Sequence, residues 1–266
     1  MADVAFLGYG RMAQAISAGL NRANLAPYAK QAAADIASGP LTELGARLGL
    51  TVSKSNSGLF DLSDTVIIAV KPHQVRDVLS EVSPCVKNHL VISIAAGVKL
   101  STLQSLLPPS TSIIRVIPNL PALVGKGVTL MCAGTSIDRQ LLERAKKIFE
   151  SVGSVFELDE RLFDTGTAVS GSGPAFLFLV MEAMIRGAVR LGLPWDLARE
   201  MVLKTAQGSA ATALEHFELS LASLRDQVTS PGGTTAEGLL ELEEGSLTAL
   251  FHRALEAAAE KGRQLA

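Results

Sequence analysis

Two cysteines in 266 residues, Cys85 and Cys132, are too few and too far apart for a disulfide framework. Both sit in apolar surroundings, which suits free thiols in a reduced, cytoplasmic setting. Ionisable side chains make up 19% of the chain and nearly cancel, leaving a net charge of −2. With no lysine- or arginine-rich tract, neither nucleic acid nor a membrane surface is an expected partner. His73, His89, His216 and His252 share no metal-ligand spacing, so no metal is expected. The strongest apolar stretch, Ala175 to Met181, is too short to span a bilayer and is soon followed by Glu182. Asp3 precedes the first apolar run directly, with no basic n-region, so no leader is expected.

From Val4 to about Glu157, short apolar runs alternate with amphipathic segments. Val4–Leu7, Val66–Val70, Leu90–Ala95, Ile113–Ile117, Val128–Met131 and Val155–Leu158 suit strands buried on both faces of a parallel sheet. Between them, Met12, Ile16 and Leu20 recur at helical spacing. Val75, Val78, Leu79 and Val82 do the same, and Leu141, Leu142, Ala145, Ile148 and Phe149 mark one side of a helix over 137–152. Ser101 with Gln104 predicts a capping box. The alternation predicts an α/β, doubly wound domain over residues 1–160. Beyond it only helical periodicity remains, over 175–191, 195–216, 221–226 and 234–265. Residues 161–266 are therefore expected to be all-helical. The run Phe176 to Met181 is apolar all round, which predicts burial against a second copy in at least a homodimer. Packing of these helices back on the first domain is the competing arrangement.

Gly8-Tyr9-Gly10-Arg11-Met12-Ala13 follows the first strand and opens the first helix. That context fits a dinucleotide fingerprint: Gly8 for the tight turn, Gly10 for approach of the pyrophosphate, Ala13 for close helix–strand packing. Phosphates would sit on the helix N-terminus, where N–H groups and the dipole favour negative charge. The second strand is expected over 35–37, which puts Asp35 near its start and Ser38-Gly39-Pro40 at its tip. A hydroxyl there, in place of a carboxylate, tolerates a 2′-phosphate and tilts the choice to NADPH, with NADH possible. Ala69-Val70-Lys71-Pro72 and Ala95-Ala96-Gly97 follow later strands and belong at the same carboxyl edge. Lys71 could meet a phosphate or ribose, or be a solvated lysine beside a proline turn.

A second glycine loop, Thr229-Ser230-Pro231-Gly232-Gly233-Thr234-Thr235, also opens a helix. Thr234 and Glu237 stand three apart, so Thr234 is expected as N-cap with its hydroxyl taken by backbone and Thr235 free to point outward. The amides of Gly232, Gly233 and Thr234 suit a carboxylate, with the Ser230 hydroxyl beside them. A plain structural turn before a capped helix is the alternative. Ser170-Gly171-Ser172-Gly173-Pro174-Ala175 is a third unusual segment, with Pro174 fitting the first turn of a helix and its glycines suiting close helix packing.

These motifs, in this order and over nearly the whole chain, resemble pyrroline-5-carboxylate reductases. The resemblance implies a Rossmann domain followed by a helical domain that interlocks two subunits. It also implies NAD(P)H-dependent reduction of 1-pyrroline-5-carboxylate, a cyclic imino acid, to L-proline. By matching positions it implies cofactor contacts at Gly8, Tyr9, Gly10, Arg11, Met12, Ala13, Ser38, Asn56, Ala69, Val70, Lys71, Pro72, Ala95, Ala96 and Gly97. Ser230, Gly232, Gly233 and Thr234 match the substrate loop, and Thr235 matches the threonine that hydrogen-bonds the imine nitrogen. Glu218 aligns with an acidic residue near the site. Gly39 stands where the family often has a second serine beside the 2′-phosphate. Other imine reductases and β-hydroxyacid dehydrogenases combine similar domains. The latter, however, look for a lysine in the helix after the second-domain glycine motif, where this chain reads Ala175-Phe176-Leu177-Phe178. A non-catalytic NADP(H)-binding protein is the remaining alternative, disfavoured by the intact Pro231 to Thr235 loop.

Overall fold

A computed structural model of the chain describes residues 1–23, 28–36, 38–134 and 137–265, except for the side chains of 38–40. It divides into two units, Met1–Gly171 with Ala258–Ala266, and Ser172–Ala257.

The first unit is built on β1 (Val4–Leu7), α1 (Arg11–Ala23), β2 (Gln31–Ala34), α2 (Ser38–Leu48), β3 (Thr51–Val52), α3 (Leu59–Leu62) and β4 (Thr65–Ile68). It continues through α4 (Val75–Val82), β5 (Leu90–Ser93), α5 (Leu100–Leu106), β6 (Ser112–Ile117), β7 (Gly127–Ala133), α6 (Arg139–Glu150), β8 (Gly153–Glu157) and α7 (Phe163–Thr167). The strands form one sheet in the order β3-β2-β1-β4-β5-β6-β7-β8. All neighbours are parallel except β6 and β7. The order 3-2-1-4-5-6 is that of the doubly wound dinucleotide-binding sheet.

The sheet forms because its central strands are apolar on both faces. In β1 the alternation of the pleat sends Ala5 and Leu7 into one core layer and Val4 and Phe6 into the other, all at most 1% exposed. Against the second layer α1 buries Ile16 and Leu20, each worth about 1.5–3 kcal/mol relative to exposure. Gly19 lets α1 approach this closely, because a Cβ there would collide with Val152 and Ser151.

Several expectations are corrected. The second strand is Gln31–Ala34, not 35–37, and a two-residue β3 extends the sheet beyond it. Three alanines in a row lack the β-branched signature, yet neighbours on both sides recruit them. Ser101 is not a cap: α5 starts at Leu100 with Lys99 as N-cap and no side-chain cap bond. The β6–β7 pair is antiparallel, its turn pinned by buried Asn119, whose amide donates to Ser170 O and accepts from Val128 N, each at 2.8 Å.

Among the described residues of this unit, one charged side chain is buried. Arg115 on β6 is 2% exposed, donates to Glu160 Oε1 at 2.8 Å, and lies 4.8 Å from the Phe163 ring centroid. The same Oε1 accepts from Leu100 N at 2.8 Å. A buried guanidinium depends on such partners, because stripping its water is expensive. Nearby Cys132 is a free thiol that burial, the largest cause, pushes up to about 12, so it is no nucleophile at neutral pH.

The second unit is helical: α8 (Gly173–Arg190), α9 (Trp195–Glu215), α10 (Leu221–Gln227), α11 (Thr234–Glu244) and most of α12 (Leu247–Leu265). The helical periodicity over 234–265 resolves into two helices, α11 and α12, separated at Ser246, which adopts a φ of 59°. Pro174 does occupy the first turn of α8, preceded by a π-helical turn at Ala168–Ser172. The unit's own core is small, comprising Ile185, Ala198 and Val202 with partly buried flanking residues. Leu177, Phe178 and Leu179 are 59%, 52% and 67% exposed. So much uncovered apolar surface has to be buried outside the chain's own core.

Two outcomes follow from this packing. Glu160→Ala, which strands Arg115, is expected to cost on the order of 3 kcal/mol of unfolding free energy in a denaturant titration. Leu179→Glu is expected to lower the assembly mass measured by light scattering, and an unchanged mass would show that the α8 face is not an interface.

Candidate active site

The turn from β1 into α1 is set by three hydrogen bonds. Gly8 N–H donates to Ala34 O at 2.8 Å, Ala69 N–H to Leu7 O at 2.8 Å, and Tyr9 N–H to Asp35 Oδ2 at 2.7 Å. Gly8 has a φ of +89°, and a Cβ there would lie 2.9 Å from the carbonyl carbon and oxygen of Ala69. Only glycine fits that turn. A Cβ on Gly10 would meet nothing within 4 Å, because this residue faces open space. Gly10 O accepts from Gln14 N at 3.0 Å, so the helix begins here and the N–H groups of its first turn remain available to an anion.

That open space is a cavity of about 660 Å³. It runs along the carboxyl ends of the parallel strands. Gly8, Gly10, Arg11 and Met12 line it after β1, Asp35 and Ile36 after β2, and Asn56 after β3. Ala69, Val70, Lys71 and Pro72 line it after β4, Ala95 and Ala96 after β5, and Ile117 and Pro118 at the end of β6. A doubly wound sheet binds its ligand at this edge. The volume suits a cofactor-sized molecule, within the roughly 300–1,000 Å³ usual for such sites. Open backbone at Gly10, the free end of α1 and two cations, Arg11 and Lys71, fit a pyrophosphate.

The expected cofactor positions divide accordingly. Gly8, Gly10, Arg11, Met12, Asn56, Ala69, Val70, Lys71, Pro72, Ala95 and Ala96 line the cavity. Tyr9 and Ala13 do not, being 4% and 1% exposed. Tyr9 packs edge-on against Phe6, and its hydroxyl donates to Ser17 Oγ at 2.7 Å. Burial raises the Tyr9 phenol above its ordinary value, and the Ser17 bond only partly offsets this. Gly97, with φ +74°, lies outside the lining, and a Cβ on it would sit 3.0 Å from Leu265 O. Ser38 begins α2, but its side chain, like Ala37, lies outside the described residues. Asn56 Nδ2 donates to Glu81 Oε2 at 2.9 Å.

The relocated β2 changes one residue's meaning. Asp35 directly follows the strand rather than starting it, and it lines the cavity. Its meaning depends on where β2 stops, and a strand over 35–37 conceals it. Ile36, Gln74, Val78, Ile94, Ile117 and Pro118 are further lining residues that sequence reasoning missed. Their signal is positional for half of them: Ile36, Ile94 and Pro118 stand just beyond strands, Ile117 ends β6, and Gln74 and Val78 lie in the turn and helix after β4.

In the second unit the late glycine loop departs from the expected cap. Gly233, not Thr234, is the N-cap of α11, with extended dihedrals and no side-chain cap bond. The Gly233 carbonyl accepts from Ala236 N at 3.1 Å and Glu237 N at 3.3 Å, so no capping box forms with Thr234. Glycine is nearly as good as threonine at an N-cap, which lets the start slip back by one. Gly233 N–H donates to Ser230 O at 3.0 Å and is spent. The N–H groups of Thr234 and Thr235, at the first two helical positions, have no intrahelical carbonyl to meet and take over as the potential cradle. Gly232 holds a φ of +66°, and a Cβ on Gly233 would collide with Ser230 Oγ. Thr235 is half-buried, whereas Ser230 and Thr234 are exposed. Glu218 is exposed, with Oε1 3.5 Å from His216 Nδ1.

The two glycines of the first loop are expected to separate in mutants. Gly8→Ala should lose roughly 1–3 kcal/mol of stability, seen as a lower Tm. Gly10→Ala should keep the Tm and instead weaken dinucleotide binding in a calorimetric titration.

Comparison with known proteins agrees with this geometry. A family model described as "Pyrroline-5-carboxylate reductase dimerisation" matches residues 160–265, and one described as "NADP oxidoreductase coenzyme F420-dependent" matches residues 3–97. The helical run Glu160–Arg190 is, by length and composition alone, long and apolar enough to cross a membrane, with 17% of its most apolar window buried. It falls within the residues matched by the dimerisation family. The pyrroline-5-carboxylate reductase of Methanosarcina acetivorans is 38% identical over 98% of this chain and 97% of its own length. That of Pisum sativum is 37% identical over 98% and 94%. Among solved structures, the enzyme from Coxiella burnetii superposes with a TM-score of 0.93 at 34% identity, covering 100% of this chain and 98% of its own. The Plasmodium falciparum enzyme, solved with NADP bound, gives 0.89 at 31% identity, covering 99% and 98%. Full-length relatives of this identity, joined to a dimerisation match over the helical half, establish that the chain belongs to the pyrroline-5-carboxylate reductase family.

Proposed function

We propose that this chain is a homo-oligomeric pyrroline-5-carboxylate reductase that reduces 1-pyrroline-5-carboxylate to L-proline with a nicotinamide cofactor. NADPH is the form that the family matches favour, with NADH admitted. The carrying observation is the strand-end cavity, floored by the unfilled space at Gly10 and walled by Ala69–Pro72 and Ala95–Ala96. In this reading, residues 1–160 serve the cofactor, and 161–266 serve the substrate and the partner subunit. The free thiols of Cys85 and Cys132 support a cytoplasmic setting.

When bound, the nicotinamide would supply a hydride to the C=N carbon of the protonated imine, whose nitrogen keeps its proton and becomes the secondary amine of proline. The protein's part is binding and orientation. Gly8, Gly10, Arg11 and Met12 hold the pyrophosphate at the start of α1, and Lys71 adds positive charge at the end of β4. Asn56, Ala69, Val70, Pro72, Ala95 and Ala96 shape the remaining wall. Tyr9 and Ala13 contribute by fixing the turn from behind. The amides of Thr234 and Thr235 receive the substrate carboxylate, with the Ser230 hydroxyl beside them, and Gly232 and Gly233 give the loop its shape. Thr235 holds the nitrogen proton by a hydrogen bond. A threonine hydroxyl is too weak an acid to be a conventional proton donor at neutral pH, so its role is positioning and polarisation. Glu218 stands as a further substrate-side carboxylate.

Two measurements test this. The purified chain is expected to oxidise the reduced cofactor, followed at the nicotinamide absorbance band, when pyrroline carboxylate is added. Cofactor binding without oxidation would make the protein a non-catalytic binder. Thr235→Ala is expected to lower turnover by roughly tenfold or more with cofactor affinity unchanged, since a hydrogen bond to a charged group is worth about 1.5–3 kcal/mol. Unchanged turnover would remove Thr235 from the mechanism.

A further inference from the structure

Asp35 occupies the one strand end where the two cofactor forms differ chemically. β2 stops at Ala34 and Asp35 is the next residue. Because the sheet runs β3-β2-β1-β4, the tips of β2 and β4 flank the Gly8–Gly10 turn on opposite sides. In sheets of this order an acidic side chain past the second strand meets the adenosine ribose. Here the carboxylate is fixed in place, because Oδ2 accepts from Tyr9 N–H at 2.7 Å and ties Asp35 to the glycine turn. It lines the same cavity as that turn.

Nothing beside it in the sequence neutralises a second anion. Residues 36–41, Ile-Ala-Ser-Gly-Pro-Leu, contain no lysine or arginine. Lys54, past β3, is exposed and outside the lining. Of the lining cations, Lys71 follows β4, two strand spacings or about 10 Å from β2. Arg11 sits in the first turn of α1, where the pyrophosphate belongs.

Resting on the dinucleotide site proposed above, we infer that Asp35 ranks the two cofactor forms. Its carboxylate accepts from the ribose 2′-hydroxyl of NADH and repels the 2′-phosphate of NADPH, so NADH binds more tightly while NADPH remains admissible. A phosphomonoester carries about −1.5 to −2 charges near neutral pH, so the repulsion acts on binding itself and not only on turnover.

The test is calorimetric titration of the full chain with NADH and NADPH, and with the fragments ADP and 2′,5′-ADP. Wild type is compared with Asp35→Asn and Asp35→Ser. Asparagine keeps an oxygen for Tyr9 N–H, so the turn stays anchored. Wild type is expected to bind NADH more tightly than NADPH. Both variants are expected to shift the ratio toward NADPH by about tenfold, and the fragment pair to shift in the same direction. Tighter NADPH binding by wild type, or a ratio unmoved in both variants, would overturn the inference while leaving the cofactor site intact. If neither dinucleotide binds, the site reading falls and this inference falls with it.

Discussion

The turn after β1 is held from both neighbouring strands at once. Ala34 O takes the Gly8 amide, Leu7 O takes the Ala69 amide, and the Asp35 carboxylate takes the Tyr9 amide. That leaves room at Gly8 for hydrogen alone, at a positive φ, and sends the chain out over the sheet edge at Gly10. Every other feature of the cofactor face is arranged around this geometry. The following helix starts with its amides toward open space, and the ends of β4, β5 and β6 close the remaining sides. The cavity is therefore a property of main-chain packing more than of any one side chain.

The helical half is organised by a different need. Helices that present Leu177, Phe178 and Leu179 to the outside, over a core of little more than Ile185, Ala198 and Val202, are incomplete as a lone unit. The dimerisation match covers these same helices, over 160–265. The ion pair of buried Arg115 with half-buried Glu160 sits where that match begins, inside the first unit. An enzyme assembled this way has its sheet stabilised within one chain and its helices stabilised between chains.

Strands with strong composition were legible in the sequence almost to the residue. Val4–Leu7 is β1 as expected, and Ile113–Ile117 differs from β6 by one residue. β2 was misplaced because Gln31–Ala34 is alanine-rich and takes its strand character from its neighbours, a tertiary effect that local propensity does not carry. β3, at two residues, is too short to show any period. That single slip hid Asp35, since a residue's role at a sheet edge depends on which side of the strand end it falls. The cap at Gly233 was missed for a related reason. Thr234 with Glu237 satisfies the capping-box pattern, but the backbone starts the helix one residue earlier, and sequence pattern does not distinguish the two. Cavity positions directly beyond strands carry a signal in the order of elements, whereas Gln74 and Val78, in the turn and helix after β4, required the fold itself.

The close approach of Ser230 Oγ to the place where a Cβ would stand on Gly233 couples two positions of the late loop. Gly232, at its positive φ, fixes the backbone between them. Under mutational drift these residues are coupled: a larger residue at 233 needs the Ser230 hydroxyl to turn away or be lost, and it still crowds the Ser230 carbonyl oxygen at 3.1 Å. A substitution at either position is therefore felt at the other, and the loop's sequence history is expected to show the two changing together.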